Sequence, residues 1–220
     1  MLNVRNLVDI HSRIAGSGPG YKPNVEVLNK SAIVLAVACW EVYVKDLATF
    51  AFDTIFNGIS DPKKFPQNVL VEAAQEIRQA KDARRLLELA GDGWRSVLKQ
   101  HRDNLIAECN QRFTPNTKSI NMLFETMIGF KSIASTWHWQ GCSNQLALKK
   151  LDALLNLRHS IAHNVGSTRK VSKYDVILTL DLVNRLATQC SNGVRAYLVN
   201  EFKLQAWQQV SVQSPSQGAR

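Results

Sequence analysis

Three ionisable side chains lie close together in one stretch of the sequence. Arg158 is followed at once by His159, and His163 comes four residues later. Residues 151–165 carry aliphatic side chains at helical spacing, which predicts an amphipathic helix whose apolar stripe faces a core. Arg158 falls on that stripe. Because a guanidinium always carries its charge, burying it is costly unless it meets an acid, a phosphate or a partner chain, so this stretch is the first candidate for a functional site.

These side chains suit the cleavage of a phosphodiester that carries its own nucleophile, as RNA does. A neutral imidazole can take the proton from the ribose 2′-OH, and a protonated one can give a proton to the leaving 5′-oxygen. Histidine is the residue type that exists in both protonation states near neutral pH. A fork-shaped arginine can stabilise the negative charge that builds up on the phosphate. The stretch therefore supplies one base, one acid and one cation.

The spacing limits how these groups can meet. His159 and His163 are four residues apart and share a helix face. Arg158 and His163 are five apart, so on a straight helix they point about 140° away from each other. Two arrangements remain open: the helix ends near position 163 and frees the histidine, or two copies of the helix pack about a two-fold axis and share one cleft.

Other interpretations of the same residues remain open. Arg158 could form a buried ion pair with Glu41, which would make it structural and leave the histidines as solvated residues at a helix end. The pair of histidines could also hold a metal ion. It lacks the glutamate of the H-E-x-x-H motif and a third ligand, so we expect no metal and no other cofactor.

Further basic and aromatic residues flank this stretch. Lys149, Lys150, Arg169 and Lys170 could contact an RNA backbone, although a solvated face is an equally good interpretation. Residues 137–139, Trp-His-Trp, could stack on bases, but aromatic clusters more often cover a core.

Size and charge fit a globular protein with a polyanionic partner. The 220 residues suit one domain, and 27 Lys and Arg against 18 Asp and Glu give a formal charge of +9. Such an excess permits nucleic-acid binding, although the basic residues are scattered and any binding face must be assembled by folding.

The sequence also predicts a reduced, cytoplasmic protein that makes no membrane contact. The N-terminus lacks the uninterrupted apolar core of a signal peptide. The longest apolar run, 32–44, contains Glu41 and is too short to span a bilayer. No C-x-x-C pair occurs among the four widely spaced cysteines, so neither a disulfide framework nor a zinc site is indicated.

The remaining pattern predicts an all-α bundle of about four long helices with extra short helices. The run 32–44 is apolar all round and should be a central, fully surrounded helix. Ser172 and Asp175 resemble an N-cap pair, and Ser119 is a candidate cap. We expect one domain over 1–210 and a disordered tail over 211–220. Helical patterns cover 2–15, 24–57, 67–90, 94–113, 119–130, 145–163 and 173–207.

Three segments resemble one known family. The stretch 154–164 matches the Arg-x4-6-His signature of HEPN domains, and His159 fills a slot that is commonly polar there. Residues 29–46 are similar to the first core helix of the RiboL-PSP-type HEPN proteins, including an aromatic–Glu pair at 40–41. Residues 112–124 resemble the segment that precedes the motif helix in that branch. The three matches occur in the family's order.

The resemblance implies an all-α HEPN fold and, frequently, a metal-independent endoribonuclease that leaves a 2′,3′-cyclic phosphate and a 5′-OH. It implies that Arg158 and His163 are the catalytic pair, that His159 is a polar auxiliary, and that Glu41 orients one of them. Its members are commonly homodimers, which here would place the active site at the two-fold interface. Many act on RNA in toxin–antitoxin or anti-phage systems, where an antitoxin or defence protein is a partner.

Two other functions stay open. A catalytically silent HEPN module could bind a partner protein or a nucleotide. A plain structural bundle could use Arg158 only as an ion-pair partner of Glu41. Inactive members of the family usually lack the arginine or the histidine, and this sequence retains both, which favours an enzyme.

Overall fold

A computed structural model describes residues 26–79, 90–163 and 170–211, and the predicted first helix and the tail beyond Ser211 lie outside these ranges. The described residues confirm the predicted all-α class. Apart from an isolated bridge between Trp139 and Cys142, they are helices, turns and loops. The helices are α1 (Glu26–Gly58), α2 (Gln67–Ala73), α3 (Gln75–Gln79), α4 (Gly93–Arg112), α5 (Thr117–Ile128), α6 (Asn144–Ala162) and α7 (Lys173–Phe202), with 3₁₀ turns at Pro62–Lys64 and Ile133–Thr136.

Three helix boundaries differ clearly from the prediction. The last helix, α7, was predicted to reach residue 207 and ends at Phe202. The pattern over 67–90 begins as the two short helices α2 and α3, although hydrogen bonds from Ala74 N–H to Leu70 O (3.0 Å) and from Arg78 N–H to Ala74 O (2.9 Å) continue across the break. The cap of α5 is Asn116, not Ser119. Its side-chain oxygen accepts from the Ser119 N–H at 2.9 Å, because the first-turn amides of a helix need an acceptor.

The predicted N-cap pair of the last helix is confirmed. The Ser172 N–H donates to Asp175 Oδ2 at 2.8 Å, and the Asp175 N–H donates to Ser172 Oγ at 3.2 Å. These reciprocal bonds form a capping box, which determines where α7 begins.

Helix α1 is not fully surrounded, so that prediction is wrong. Ala36, Trp40 and Val44 are completely buried, whereas Val27 and Val42 are 69% and 52% exposed. An apolar composition on every face predicts burial only where other elements cover every face. The described part of the chain leaves one face of α1 uncovered.

Helix α1 also has the length and composition of a helix that could cross a membrane. The length argument made for the run 32–44 therefore fails for the 33-residue helix around it. Within its most apolar window, 39% of the residues are buried inside the protein, and the core helix of a globular protein passes the same test of length and composition.

The chain forms two compact units, and α1 and α7 contribute residues to both. The motif unit comprises the described residues of 1–43, 137–189 and 211–220. Its core contains Trp40 and Trp137, whose rings meet edge to face at 6.1 Å. Asn29 is buried, and its side-chain amide donates to Val171 O at 2.9 Å, which holds the start of α1 against the residue before the α7 cap.

The second unit comprises the described residues of 44–136 and 190–210. Its core is aromatic: Phe52 lies 5.8 Å from both Phe56 and Phe65, ring centroid to ring centroid. Helix α5 ends at Ile128, and the next residue, Gly129, caps it with a left-handed φ of 77°; the Gly129 N–H donates to Glu125 O at 2.9 Å. The expectation of one domain over 1–210 stays a prediction.

Candidate functional site

Helix α6 positions the predicted catalytic residues, and its sequence explains both of its ends. Ser143 caps the first turn by accepting from the Leu146 N–H at 3.3 Å. Ala147, Leu151 and Leu154 are buried, at spacings of four and three, and anchor the helix in the core of the motif unit. Residue 163 leaves helical geometry, with φ −95° and ψ 5°, so α6 ends at Ala162.

The buried stripe of α6 stops before Arg158. Arg158 is exposed, and Ile161 in the next turn is half-buried. The expected buried arginine is therefore wrong for a single protomer. Among the residues that the structure describes, the Arg158 guanidinium forms no ion pair, so the alternative pairing with Glu41 is absent. Glu41 is half-buried on α1, next to the buried Trp40.

The two histidines meet at the end of α6. Their ring centroids are 4.3 Å apart with the planes inclined at 47°, and the His163 N–H donates to His159 O at 3.1 Å. Both side chains are exposed. The helix ends beside His163, as the first of the two arrangements requires, but the His163 N–H still makes the helical bond to His159 O. Whether Arg158 and His163 meet within one chain stays a prediction. This places two imidazoles and one guanidinium within six consecutive residues on the surface.

The predicted RNA contacts are surface residues where they can be described. Lys149, Lys150 and Lys170 are exposed, and Arg169 lies outside the described residues. Lys150 precedes Arg158 by eight residues, which is about 12 Å along the helix axis. The lysines of α6 thus lie on the helix that ends in the histidines, two turns and more before them.

The Trp-His-Trp stretch divides into two environments. Trp137 is fully buried, which agrees with the core interpretation. His138 is exposed, and Trp139 is half-buried. The Arg185 guanidinium lies 5.8 Å from the Trp139 ring centroid. Sequence reasoning missed Arg185, because nothing in the sequence links it to a tryptophan 46 positions earlier.

Metal ligands do not gather in the described part of the chain. No group of three or more His, Cys, Asp or Glu side chains there is arranged to hold a metal ion. His159 and His163 consequently have no third protein ligand among those residues.

The described residues thus combine an all-α fold with an exposed Arg–His–His set at the end of α6. The family model described as RiboL-PSP-HEPN matches residues 3–192, which include α1, α6 and the whole 158–163 stretch. The chain therefore belongs to the RiboL-PSP-HEPN family. Neither a search of curated proteins nor a search of solved structures found a match.

Proposed function

We propose that the protein is a metal-independent endoribonuclease that leaves a 2′,3′-cyclic phosphate and a 5′-OH. The observation that carries this proposal is the exposed set of Arg158, His159 and His163 at the end of α6. Membership of a family that is commonly, though not always, nucleolytic supports it. Retention of both the arginine and the histidine of the family motif favours an active member.

The reaction needs only these side chains and the RNA. An imidazole takes the 2′-OH proton as the 2′-oxygen forms a bond to phosphorus. The bond between phosphorus and the 5′-oxygen breaks, and that oxygen takes a proton from an imidazolium. Arg158 stabilises the charge that gathers on the non-bridging oxygens between these events, since a guanidinium can donate two parallel hydrogen bonds to them.

The proposal assigns a role to each residue from its position. His163 lies at the free end of the helix and acts as the principal acid–base group, and His159, in ring contact with it, is the auxiliary. Arg158 binds the phosphate. Glu41 is the candidate positioning residue of α1, acting on a histidine or on Arg158 once RNA or a second chain has ordered the site.

The active form in this proposal is a homodimer. Arg158 and His163 diverge by about 140° on one helix, so Arg158 of one protomer and His163 of the other can complete a shared site more easily than one chain can. Exposed apolar side chains near the start of α7 suit an interface. Tyr174, Ile177 and Leu178 are 66%, 43% and 49% exposed and share one helix face in the motif unit.

The substrate and setting follow from charge and chemistry. The formal charge of +9 favours a polyanion, and Lys149, Lys150, Arg169 and Lys170 are the proposed backbone contacts. An RNA-cleaving protein needs control in its host, which fits a cytoplasmic toxin–antitoxin or anti-phage system with an antitoxin or defence partner.

The test of the activity is cleavage of end-labelled RNA by purified protein in EDTA. Wild type should release fragments with a 2′,3′-cyclic phosphate and a 5′-OH, and His163→Ala should release none while remaining folded. Full activity of His163→Ala would remove the proposal. RNA or nucleotide binding without cleavage by the wild type would instead favour the silent module, for which the exposed Arg158 is the supporting observation.

The shared site is tested by mixing two inactive variants. If Arg158 and His163 act across the interface, a heterodimer of Arg158→Ala and His163→Ala chains contains one intact site. Random reassortment then restores about a quarter of wild-type activity. No recovery after subunit exchange would show that each site uses one chain only.

A further inference from the structure

An aromatic ring and an arginine form a second surface site at the other end of α6. Trp139 is half-buried, and the Arg185 guanidinium lies 5.8 Å from its ring centroid, within the range of a cation–π contact. Both residues belong to the motif unit. The proposed cleavage chemistry does not use this pair, so we infer what it can bind from its own geometry.

The Trp139 backbone is held by a tight turn. The Trp139 N–H donates to Cys142 O at 3.1 Å, and the Cys142 N–H donates to Trp139 O at 2.9 Å. Gly141 within the turn has a φ of 79°, and a Cβ added there would meet nothing within 4 Å. The two hydrogen bonds constrain the backbone on either side of the turn, and the space around Gly141 is open, so the indole is presented at low entropic cost.

One hydrogen bond orients the Arg185 guanidinium, but it does not use all of the guanidinium's donors. Its Nε donates to Asp181 Oδ2 at 2.8 Å, one turn earlier on α7, and its side chain is 32% exposed. Within the described part of the chain, its two terminal nitrogens have no hydrogen-bond partner. A guanidinium held through Nε points its remaining donors away from that bond, and those donors match the oxygens of a phosphate.

We propose that Trp139 and Arg185 bind single-stranded RNA, with a base stacked on the indole and the neighbouring phosphate on the terminal nitrogens of Arg185. Stacking on an aromatic ring beside a cation is how proteins hold unpaired nucleotides of any sequence. The choice of RNA as occupant rests on the proposed ribonuclease function and on the positive charge of the chain.

This site is separate from the catalytic histidines within one protomer. Trp139 lies four residues before the N-cap of α6, and His163 lies at its C-cap. The 19-residue helix between these two caps spans about 28 Å at 1.5 Å per residue. At about 3.4 Å per stacked nucleotide, that length corresponds to roughly eight nucleotides. The site therefore holds RNA away from the scissile bond and affects binding, not the chemical step.

The experiment measures binding of a labelled, single-stranded 2′-O-methyl RNA of about 12 nucleotides, which spans the helix but offers no 2′-OH nucleophile. Trp139→Leu keeps an apolar side chain without a stacking surface, and Trp139→Phe keeps the surface. We expect Kd to rise about 5- to 100-fold in Trp139→Leu and in Arg185→Gln. In Trp139→Phe it should stay within about threefold of wild type.

Asp181→Asn is the matched control, because it removes the carboxylate charge while the cation stays and the amide oxygen can still accept from Arg185 Nε. Unchanged binding in this variant, with weaker binding in Arg185→Gln, supports a direct phosphate contact. Equal loss in both variants, or wild-type Kd in Trp139→Leu, would overturn the proposal.

The same variants separate this inference from the nuclease proposal. Since the 2′-O-methyl RNA cannot be cleaved, binding is measured even if the protein has no RNase activity. If the protein cleaves RNA but binds the 2′-O-methyl RNA equally well without Trp139, only the proposed RNA site is contradicted. If binding depends on Trp139 but the protein does not cleave RNA, only the nuclease proposal is contradicted. In an active enzyme, Trp139→Leu should raise KM and leave kcat unchanged, and an altered kcat with unchanged KM would count against the site.

Discussion

Two arginines, one in each unit of this protein, lie in opposite environments. In the second unit, the two terminal nitrogens of Arg95 donate to Phe56 O and Ile59 O, both at 3.1 Å, and its guanidinium lies 4.4 Å from the Trp94 ring centroid. In the motif unit, Arg158 is exposed and has no acidic partner among the described residues.

Arg102 extends the pattern of the second unit. It donates to the carboxylates of Asp53 and Asp103. Burial lowers the pKa of Arg102, but the hydrogen bonds to Asp103 and Asp53 outweigh it and raise that pKa above its ordinary value. Cations whose donors are saturated by carbonyls and carboxylates stabilise the fold, whereas a cation with free donors is available to an anionic ligand.

The largest expected effect is on the RNA cleavage rate, and it should differ among the histidines of the motif unit. His163→Ala should lower the RNA cleavage rate about 10²- to 10⁴-fold, because a general acid–base group contributes that much. His159→Ala should cost less. The control is His138→Ala, which removes an exposed histidine of the same unit and should leave cleavage unchanged. Equal losses in all three variants would point to a general effect on charge or folding.

The next prediction compares Arg158 with Arg95 in their effects on cleavage and on stability. Arg158→Ala should lower cleavage about 10²- to 10³-fold with no change in the free energy of unfolding, because its charge is needed only when the phosphate becomes more negative. Arg95→Ala should do the reverse. It removes hydrogen bonds to the end of α1 and a cation–π contact, so we expect a loss of about 2 kcal/mol of stability and unchanged cleavage by the folded fraction.

Denaturant unfolding and initial cleavage rates measured on the same preparations give both quantities. A comparable loss of stability in Arg158→Ala would make that residue structural and would remove the contrast between the units.

Two glycines, one in each unit, differ in how closely their surroundings are packed. Gly129 and Gly141 both have left-handed φ, but a Cβ on Gly129 would lie 2.4 Å from Pro66 Cβ, whereas one on Gly141 would meet nothing within 4 Å. Gly141→Ala should therefore cost only the conformational penalty of about 1 kcal/mol, and Gly129→Ala about 3 kcal/mol because a steric clash adds to it. Equal losses of unfolding free energy would show that the two turns are equally free to relax.

The smallest effect is a pH dependence in the second unit. Burial, with a further contribution from Glu201, raises the pKa of Tyr197 to about 12. Its hydroxyl donates to Ile128 O at 2.9 Å. Folding raises this pKa, so the contribution of Tyr197 to the free energy of unfolding is complete below about pH 10, the ordinary pKa of tyrosine. It is lost as the pH rises through about 12.

The measurement is the free energy of unfolding between pH 9 and 12 for wild type and for Tyr197→Phe. The difference between the two proteins should shrink towards high pH. A difference that stays constant over this range would show that the phenol does not titrate with folding.

Much of the fold follows from local patterns. The capping box of Ser172 and Asp175 and the gap between the helical patterns 94–113 and 119–130 could be predicted because caps and prolines act within a few residues. The beginning of α5 was predicted wrongly, since Ser119 and Asn116 are both good caps and the choice depends on which residue leaves helical geometry first. The exposed face of α1 could not be predicted, since composition does not specify which neighbours cover it.

Some features of the candidate site could likewise be predicted from the sequence, and others could not. Which residues can do chemistry, and that His159 and His163 share a helix face, follow from residue type and helical spacing. That Arg158 is exposed, that the described residues give it no ion pair with Glu41, and that Arg185 lies over Trp139 follow from contacts between residues far apart in the chain.

The sequence by itself determined most of the helices, the capping box of α7 and the trio of ionisable groups, because caps act within a few residues and a helix places residues three and four positions apart side by side whatever surrounds it. Only the tertiary structure decided which charges are satisfied. A guanidinium finds its partners through space, and the same residue type caps a helix at Arg95 and lies open to solvent at Arg158.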